Sequence, residues 1–272
     1  MASRTQLLPP SAALAPFVQA IAVRRPCAEG PALPALQCFP ANGLGALTVL
    51  HRGDWLDADT QTPMAELELA GPRLLPARRS YANDPAITTV LLRPGVLSWL
   101  FDSPPDHWVN QRFSLAQVQG PGAARALMHR LDTANSTAAQ VWLLEQQLQN
   151  WIDAAQARCR WQAPPPVPAE AACVADWAGS AASSARQLQR RVTETLGLPP
   201  KAQLRMARLH RSLARLAQGE ALAEIATHCG FSHVGHLVRE FRALTGMSPS
   251  AVRRDLARHE GLPWLALGDA CG

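Results

Sequence analysis

The chain has one tyrosine and six phenylalanines, set against eight tryptophans. Only 17% of its 272 residues are charged, while 47% are apolar. That balance excludes a disordered composition and leaves a packed core for one large domain or two ordinary ones. No run of about 18 apolar residues occurs, so no membrane-spanning helix is expected. Met1 leads into mixed polar and apolar residues instead of a basic start and an apolar core, so no secretory signal is expected. None of Cys27, Cys38, Cys159, Cys173, Cys229 and Cys271 forms a CxxC pair. A chain of this length needs no disulfide staples, so we read reduced thiols and a cytoplasmic protein. Several of them sit among apolar residues and are read as small core side chains.

Catalytic signatures are missing as well. There is no glycine-rich phosphate loop, no HExxH and no Gly-x-Ser-x-Gly, so the chain is not read as an enzyme. Asp54, Asp57 and Asp59, near His51, read as a polar loop following a strand. Arg78 and Arg79 read as surface charges. Trp55, Trp99, Trp108, Trp142 and Trp151 read as core, with an apolar effector pocket as the alternative. A competing functional class keeps a small-molecule-binding or enzymatic first half, with the helices as an accessory.

What the sequence does hold is unevenly placed. Residues 1–168 carry 13 Lys/Arg against 12 Asp/Glu, and residues 169–258 carry 13 against 7. The last 14 residues carry two acids and no Lys or Arg. The basic excess therefore sits in one third of the chain, where an anionic partner becomes a candidate.

"QAPPPVPAE", from Gln162 to Glu170, coincides with this charge shift. Consecutive prolines block helical hydrogen bonding and favour an extended, semi-stiff spacer. Before it, residues 35 to 93 alternate short apolar runs with Pro, Gly and Asn, a strand-and-turn texture. From Pro94 the texture turns helical, through "PGVLSWLF", "PGAARALMHRLDTA" and "NSTAAQVWLLEQQLQNWIDAAQ". Asn135 or Ser136 is suited to cap the last of these, and Val141, Leu144, Leu148, Trp151 and Ile152 share its apolar stripe. The expected fold is an α+β domain over 1–161, a linker over 162–168, an all-α domain over 169–258 and a tail over 259–272.

The all-α part repeats itself. Val174, Trp177, Ala178 and Ala181 follow i, i+3, i+4, i+7 spacing, and Leu222, Ile225, Ala226 and Cys229 do so 48 residues later. A Ser follows each run, Ser184 or Ser232, suited to cap a new helix. The new helices carry anchors four apart, Leu188 and Val192, then Leu237 and Phe241. These are offset by 49, so the second copy has one extra residue at its helix start. Each copy ends in Gly-x-x-Pro, at Gly197 and Gly246, as a left-handed C-cap requires. Two short helices joined by a tight turn, the second with a polar outer face, make a helix-turn-helix. Between the copies, Ala202, Met206, Leu209, Leu213 and Leu216 stripe an amphipathic strut, with Lys201, Arg205, Arg208, Arg211 and Arg215 around it.

"LAEIATHCGFSHVGHLVREFRALTGMSPSAVRR" resembles the second helix-turn-helix of AraC/XylS-family transcription regulators. "SSARQLQRRVTETLGLPPKAQLRMARL" resembles the first reading helix and connecting helix of that family. Ala182 departs from the pattern where a Gly is usual, Val252 stands where an aromatic is common, and Leu237 replaces a frequent Phe. The first half resembles the amino-terminal domain of an uncharacterised AraC-type subgroup, through "LLPPSAALAPFVQAIAV", "LQCFPANGLGALTVL" and "LLRPGVLSWLFDSPPDHWVNQRFSLAQV". The resemblance implies a bacterial-type regulator with two reading helices entering successive major-groove segments of double-stranded DNA. It implies RNA polymerase and a small effector of the first domain as further partners, with dimerisation left open.

In the first unit Arg186, Gln187, Gln189 and Arg190 lie opposite the anchors. Arg forks fit guanine O6/N7 and Gln fits adenine N6/N7. Arg191, about 100° from Arg190, suits phosphate. In the second unit the family pattern places Val234, Gly235, His236, Val238 and Arg239 toward the groove, with His233 near a phosphate at the capped start. Val234 and Val238 can meet thymine methyls. This unit is expected to read fewer bases than the first. His228, Cys229, His233 and His236 form a rival set of metal ligands. We set it aside, because Cys229 belongs to the apolar stripe and only His233 and His236 share a helical side. No cofactor or metal is expected.

Overall fold

A computed structural model describes residues 5–26 and 36–257. Cys27, Cys271 and the 259–272 tail lie outside them. The chain divides into two units. The first comprises Met1–Leu36, Leu44–Pro72 and Arg79–Ala163, and the second comprises Gln37–Gly43, Arg73–Arg78 and Pro164–Gly272. Two short segments of the early chain thus cluster with the helices that follow the proline-rich stretch.

Strands come first in the chain: β1 (Thr5–Leu8), β2 (Val18–Arg24), β3 (Leu36–Phe39), β4 (Gly45–Asp57), β5 (Leu67–Ala70), β6 (Ala77–Leu92) and, later, β7 (Arg112–Ser114). The sheet runs in the order β1-β2-β6-β4-β5-β7, and its adjacent pairs are antiparallel. Strand β2 aligns Ile21 with Val90, and β4 aligns Leu47 with the same Val90. One face of the sheet is therefore a continuous apolar surface. Helices cover it: α1 (Val96–Leu100), α2 (Leu115–Gln119), α3 (Pro121–Asp132) and α4 (Thr137–Arg158). Leu127, Leu131, Leu144, Leu148 and Ile152 join Ile21, Leu47, Val49, Val90 and Leu92 in one buried cluster. Ser136 caps α4 by accepting from the Ala139 amide at 3.1 Å. The stripe expected on α4 is present: Leu144, Leu148 and Ile152 are buried, with Val141 and Trp151 packed at its edge. This is the α+β architecture that the sequence suggests.

Four expectations for this unit are corrected. The sheet starts earlier than residue 35, because β1 and β2 use residues 5–24, where no alternation of apolar and polar residues is clean. Asp57 is not in a loop: it ends β4, directly opposite Arg79 on β6. Arg79 is not a surface charge either. It is only 4% exposed and donates to Asp57 at 2.7 Å, with Arg112 at 3.2 Å from the same carboxylate oxygen. The five tryptophans do not converge on one pocket. Trp55 stacks on Tyr81, Trp99 on Phe17, Trp151 meets Phe101 edge-on, Trp108 is buried, and Trp142 is exposed.

The second unit holds α5 (Val174–Ser180), α6 (Ala185–Leu196), α7 (Pro200–Ala217), α8 (Leu222–His228), α9 (Val234–Thr245) and α10 (Pro249–Ala257). The repeat shows in its hydrogen bonds. After α5, the Ser183 amide reaches back to Ala178 O at 3.0 Å and Ala182 to Gly179 O at 3.1 Å. After α8, Phe231 reaches Ala226 O at 2.8 Å and Gly230 reaches Thr227 O at 3.2 Å, the same bonds 48 residues on. Helices α6 and α9 each have 12 residues, start 49 apart, and end on left-handed Gly197 (φ 67°) and Gly246 (φ 72°). Helix α7 touches α5, α6, α8, α9 and α10. It is more deeply buried than a one-striped strut: Gln203, His210 and Ser212 are enclosed along with Leu204, Met206, Leu209, Leu213 and Leu216.

The two turns differ at one atom. Gly230 takes φ 72°, whereas Ala182 holds φ 47° with a Cβ. An L-residue in this region costs roughly 1–2 kcal/mol, and Gly costs the unfolded chain roughly 0.4–1 in return. Ala182→Gly should therefore raise the unfolding free energy by about 0.5–1 kcal/mol in urea titrations. Gly230→Ala should lower it by about the same amount or more, since nothing lies within 4 Å of the added Cβ and the cost is backbone alone. A midpoint that falls with Ala182→Gly would contradict this reading of the turn.

Candidate nucleic-acid interface

Each candidate helix is fixed by one face and its two ends. On α6, Leu188, Val192 and Leu196 are buried at four-residue spacing. Arg186, Gln187, Gln189, Arg190, Arg191 and Thr193 are exposed. At its start, Ser184 Oγ accepts from the Gln187 amide at 3.2 Å, and Gln187 Oε1 accepts from the Ser184 amide at 2.9 Å. This reciprocal capping box satisfies backbone donors that a helix start leaves open. It also uses the acceptor that Gln187 would need for a two-bond pairing with adenine. Arg186, Gln189 and Arg190 have no such commitment. Arg190 lies 3.9 Å from Glu194 with both side chains largely exposed, a pair that holds little energy.

On α9 the buried anchors are Leu237, Phe241 and Leu244. The cap is His233, not Ser232: His233 Nδ1 accepts from the His236 amide at 3.1 Å. The one-residue insertion explains the change, because the 49-residue shift that relates the helices brings Ser184 onto His233. The His236 ring folds back as Gln187 does. Its Nδ1 lies 3.4 Å from the Ser232 amide and 3.2 Å from Ser232 Oγ, and the ring meets Phe231 edge-on at 5.3 Å. An acceptor role for Nδ1 leaves the proton on Nε2.

Gly235 now has a physical account. A Cβ there would come within 3.0 Å of His233 Nδ1 and 3.1 Å of its Cε1. The missing side chain makes room for the capping imidazole. Val234 and Arg239 remain exposed, and Val238 is half-buried. His228 and Cys229 point elsewhere: His228 Nδ1 is 2.5 Å from Glu220 Oε1, and Cys229 is in the core. The four side chains that could have shared a metal serve four separate roles.

Arg205, Arg208 and Arg215 of the strut have partners that spacing did not reveal. Arg205 grips Glu240 of α9 with two bonds, Nε to Oε2 at 3.0 Å and Nη2 to Oε1 at 3.1 Å. The Arg208 guanidinium sits 5.5 Å above the Phe231 ring. Arg215 donates to Glu220 at 2.9 Å, and Arg253 donates to the Glu220 carbonyl at 2.6 Å. Arg215, and then His228, hold the Glu220 carboxyl below its ordinary range. Burial, and then the Arg211 charge, push His210 down to about 4, so it is neutral at pH 7.

The forked Arg205–Glu240 pair crosses from α7 to α9 beside the candidate reading face. Its Arg is about half exposed, so solvent screening limits its worth. Arg205→Ala should lower the unfolding free energy by about 1 kcal/mol, and Arg205→Lys should recover little of it, since an ammonium cannot make the fork. A double-mutant cycle with Glu240→Gln should give a coupling of about 0.5–1 kcal/mol. A coupling of zero would remove the pair from the account.

The helix-turn-helix domain family matches residues 177–255. No curated protein matches the chain. Among solved structures, ToxT from Vibrio cholerae O395 is 12% identical, with 82% of this chain and 95% of that chain covered and a TM-score of 0.44. Wild-type ToxT from V. cholerae strain SCE256, bound to an unsaturated fatty acid, is 11% identical, with 81% and 92% covered and a TM-score of 0.43. The AraC-like transcriptional activator CuxR is 16% identical, with 98% and 92% covered and a TM-score of 0.25. The assignment rests on the family match and the duplicated helices: residues 177–255 are a DNA-binding helix-turn-helix domain of the AraC type.

Proposed function

We propose that this chain is a sequence-specific transcription regulator that sets α6 and α9 into successive major-groove segments, about 34 Å apart along the duplex. The observation that carries this reading is the pair of capped, twelve-residue helices related by a 49-residue shift, each anchored inward and polar outward. They lie in the third of the chain that holds the basic excess.

Arg186, Gln189 and Arg190 are the base-reading residues of the first helix, and Gln187 holds its cap. Arg191 meets phosphate. In the second helix Val234 contacts a thymine methyl, and Arg239 reaches a base edge or phosphate. His233 and Gly235 shape the start of the helix, while His236 offers its Nε2–H. Helix starts favour phosphate, so the second unit positions more than it reads.

A cleft of about 470 Å³ in the first unit favours an effector with an acidic group. Arg25, His51, Arg52, Ser136, Thr137 and Gln140 line it, and no Asp or Glu is among the described residues that line it. Arg25 is fixed by Thr137 Oγ1 at 2.9 Å and Gln140 Oε1 at 2.5 Å. Burial, and then the Arg25 charge, push His51 down to about 4, with Asp132 acting the other way. An effector would act by favouring one arrangement of the chain over another.

Selection of bound fragments from a genomic library tests the main reading. On the fragments recovered, Arg186→Ala or Gln189→Ala should cost roughly 1–3 kcal/mol at particular base pairs. Arg191→Ala should weaken all sequences alike and reduce the salt slope by about 1. Unchanged retention of both kinds of variant at low salt would sink the assignment. For the cleft, small carboxylates and phosphate esters titrated into the full chain should raise the His51 pKa, seen by NMR. Arg25→Met should abolish that shift, and its persistence would place the ligand elsewhere.

A further inference from the structure

We infer that two segments of the early chain, residues 37–43 and 73–78, are positioning parts of the second reading helix, so that the DNA-binding unit is discontinuous in sequence. The inference rests on α9 being a reading helix. It starts from a helix-end problem. The last four carbonyls of a helix have no intrahelical partner. In α9, Leu244 O is one of these, and it accepts from the Ala41 amide at 2.7 Å. Ala41 is fully buried, in the same cluster as Leu209, Leu213, Leu237, Phe241 and Leu244. Its methyl group fills the core under α9 while its N–H closes the end of that helix.

The surrounding contacts point the same way. Asn42 and Arg73 exchange backbone hydrogen bonds at 3.0 and 2.8 Å, so the two segments hold each other. A Cβ on Gly43 would lie 3.1 Å from Gln203 Oε1 on α7, so the backbone packs closely there. Pro76 lies 3.6 Å from the Cβ position of Gly246, the left-handed residue that ends α9. Cys38 packs at the edge of the same cluster. The hydrogen bond of Ala41, its burial and the approach of Pro76 thus gather on the end of α9, while Gly43 packs against α7, all from residues that precede the proline-rich linker. The far ends of these segments run directly into β4 and β6, because Gly43 is followed by Leu44 and Gly45, and Arg78 by Arg79. These segments set the angle at which α9 leaves the core, and α9 acts on DNA through that angle.

Two measurements on the full chain test this. In the wild type, the Ala41 amide should exchange with deuterium as slowly as the amides at the end of α9, because they open as one unit. Exchange of Ala41 at the rate of an open loop would overturn the inference, whether or not the chain binds DNA. Ala41→Pro removes the N–H, and Ala41→Leu overfills the site while keeping it. With Ala41→Pro, exchange at the end of α9 should quicken by about tenfold, the factor expected for one lost hydrogen bond. Fragment selection with either variant should then relax base preference in the half-site read by α9 and keep it in the half-site read by α6. Equal loss in both half-sites, or no change in either, would mean that the segments stabilise without positioning. Should the wild type show no base preference while Ala41 is protected, the DNA reading fails and the structural closure stands.

Discussion

A short helix that offers one face to an outside partner can be held only along its other face and at its two ends. A twelve-residue helix has about three turns, so about a third of its backbone polar groups, four at each end, find no partner within the helix. Both α6 and α9 meet this constraint, and the rest of the helical unit can be understood as its solution. Apolar anchors four residues apart fasten the inner face to α7. A capping side chain closes each start, and a left-handed glycine closes each finish. Helix α7 is enclosed on several sides because it must serve both copies at once.

The same constraint decides which outward side chains are committed to the helix ends. At the third position of each helix, Gln187 and His236 fold back on the residues before the helix. Hydrogen bonds made there are unavailable to a base. His233 accepts at the next helix start, and Gly235 is bare so that the imidazole fits. The outward face of α9 is left with a valine, an arginine and a half-buried valine. The outward face of α6 keeps Arg186, Gln189 and Arg190 exposed. The two copies share a scaffold and differ in the side chains they expose. One is rich in directional donors, and the other offers apolar contact and charge.

Much of this was legible in the sequence because helical repeats are local. The spacing of Leu188, Val192, Leu237 and Phe241, the paired Gly-x-x-Pro ends and the 48-to-49 shift in offset gave the helix-turn-helix pair and even the inserted residue. Ser232 was the natural choice for the cap because serine is a preferred capping residue, whereas the insertion moves His233 into that place. Non-local pairs stayed hidden. Asp57 and Arg79 meet only because β4 and β6 lie in one register, and nothing in either neighbourhood marks Arg79 as buried. Arg205 and Glu240 sit on different helices, and each alone looks like an ordinary surface charge. Strands β1 and β2 lack the alternation that identifies a strand. Nothing about "FPANG" separates a loop that joins another unit from one that merely turns.

That last stretch has a consequence for how the chain is made. Ala41 and Leu244, bonded in the finished protein, lie about 200 residues apart in the chain. Contacts of such span are slow to form, since a long loop must close before they return anything. During synthesis the early segment leaves the ribosome well before its partner exists, at about 5–20 residues per second. The helical unit therefore cannot complete its core as an independent late module. The early chain carries this loop without its partner until α9 is made. The order of translation means that this closure cannot form before α9 has been made.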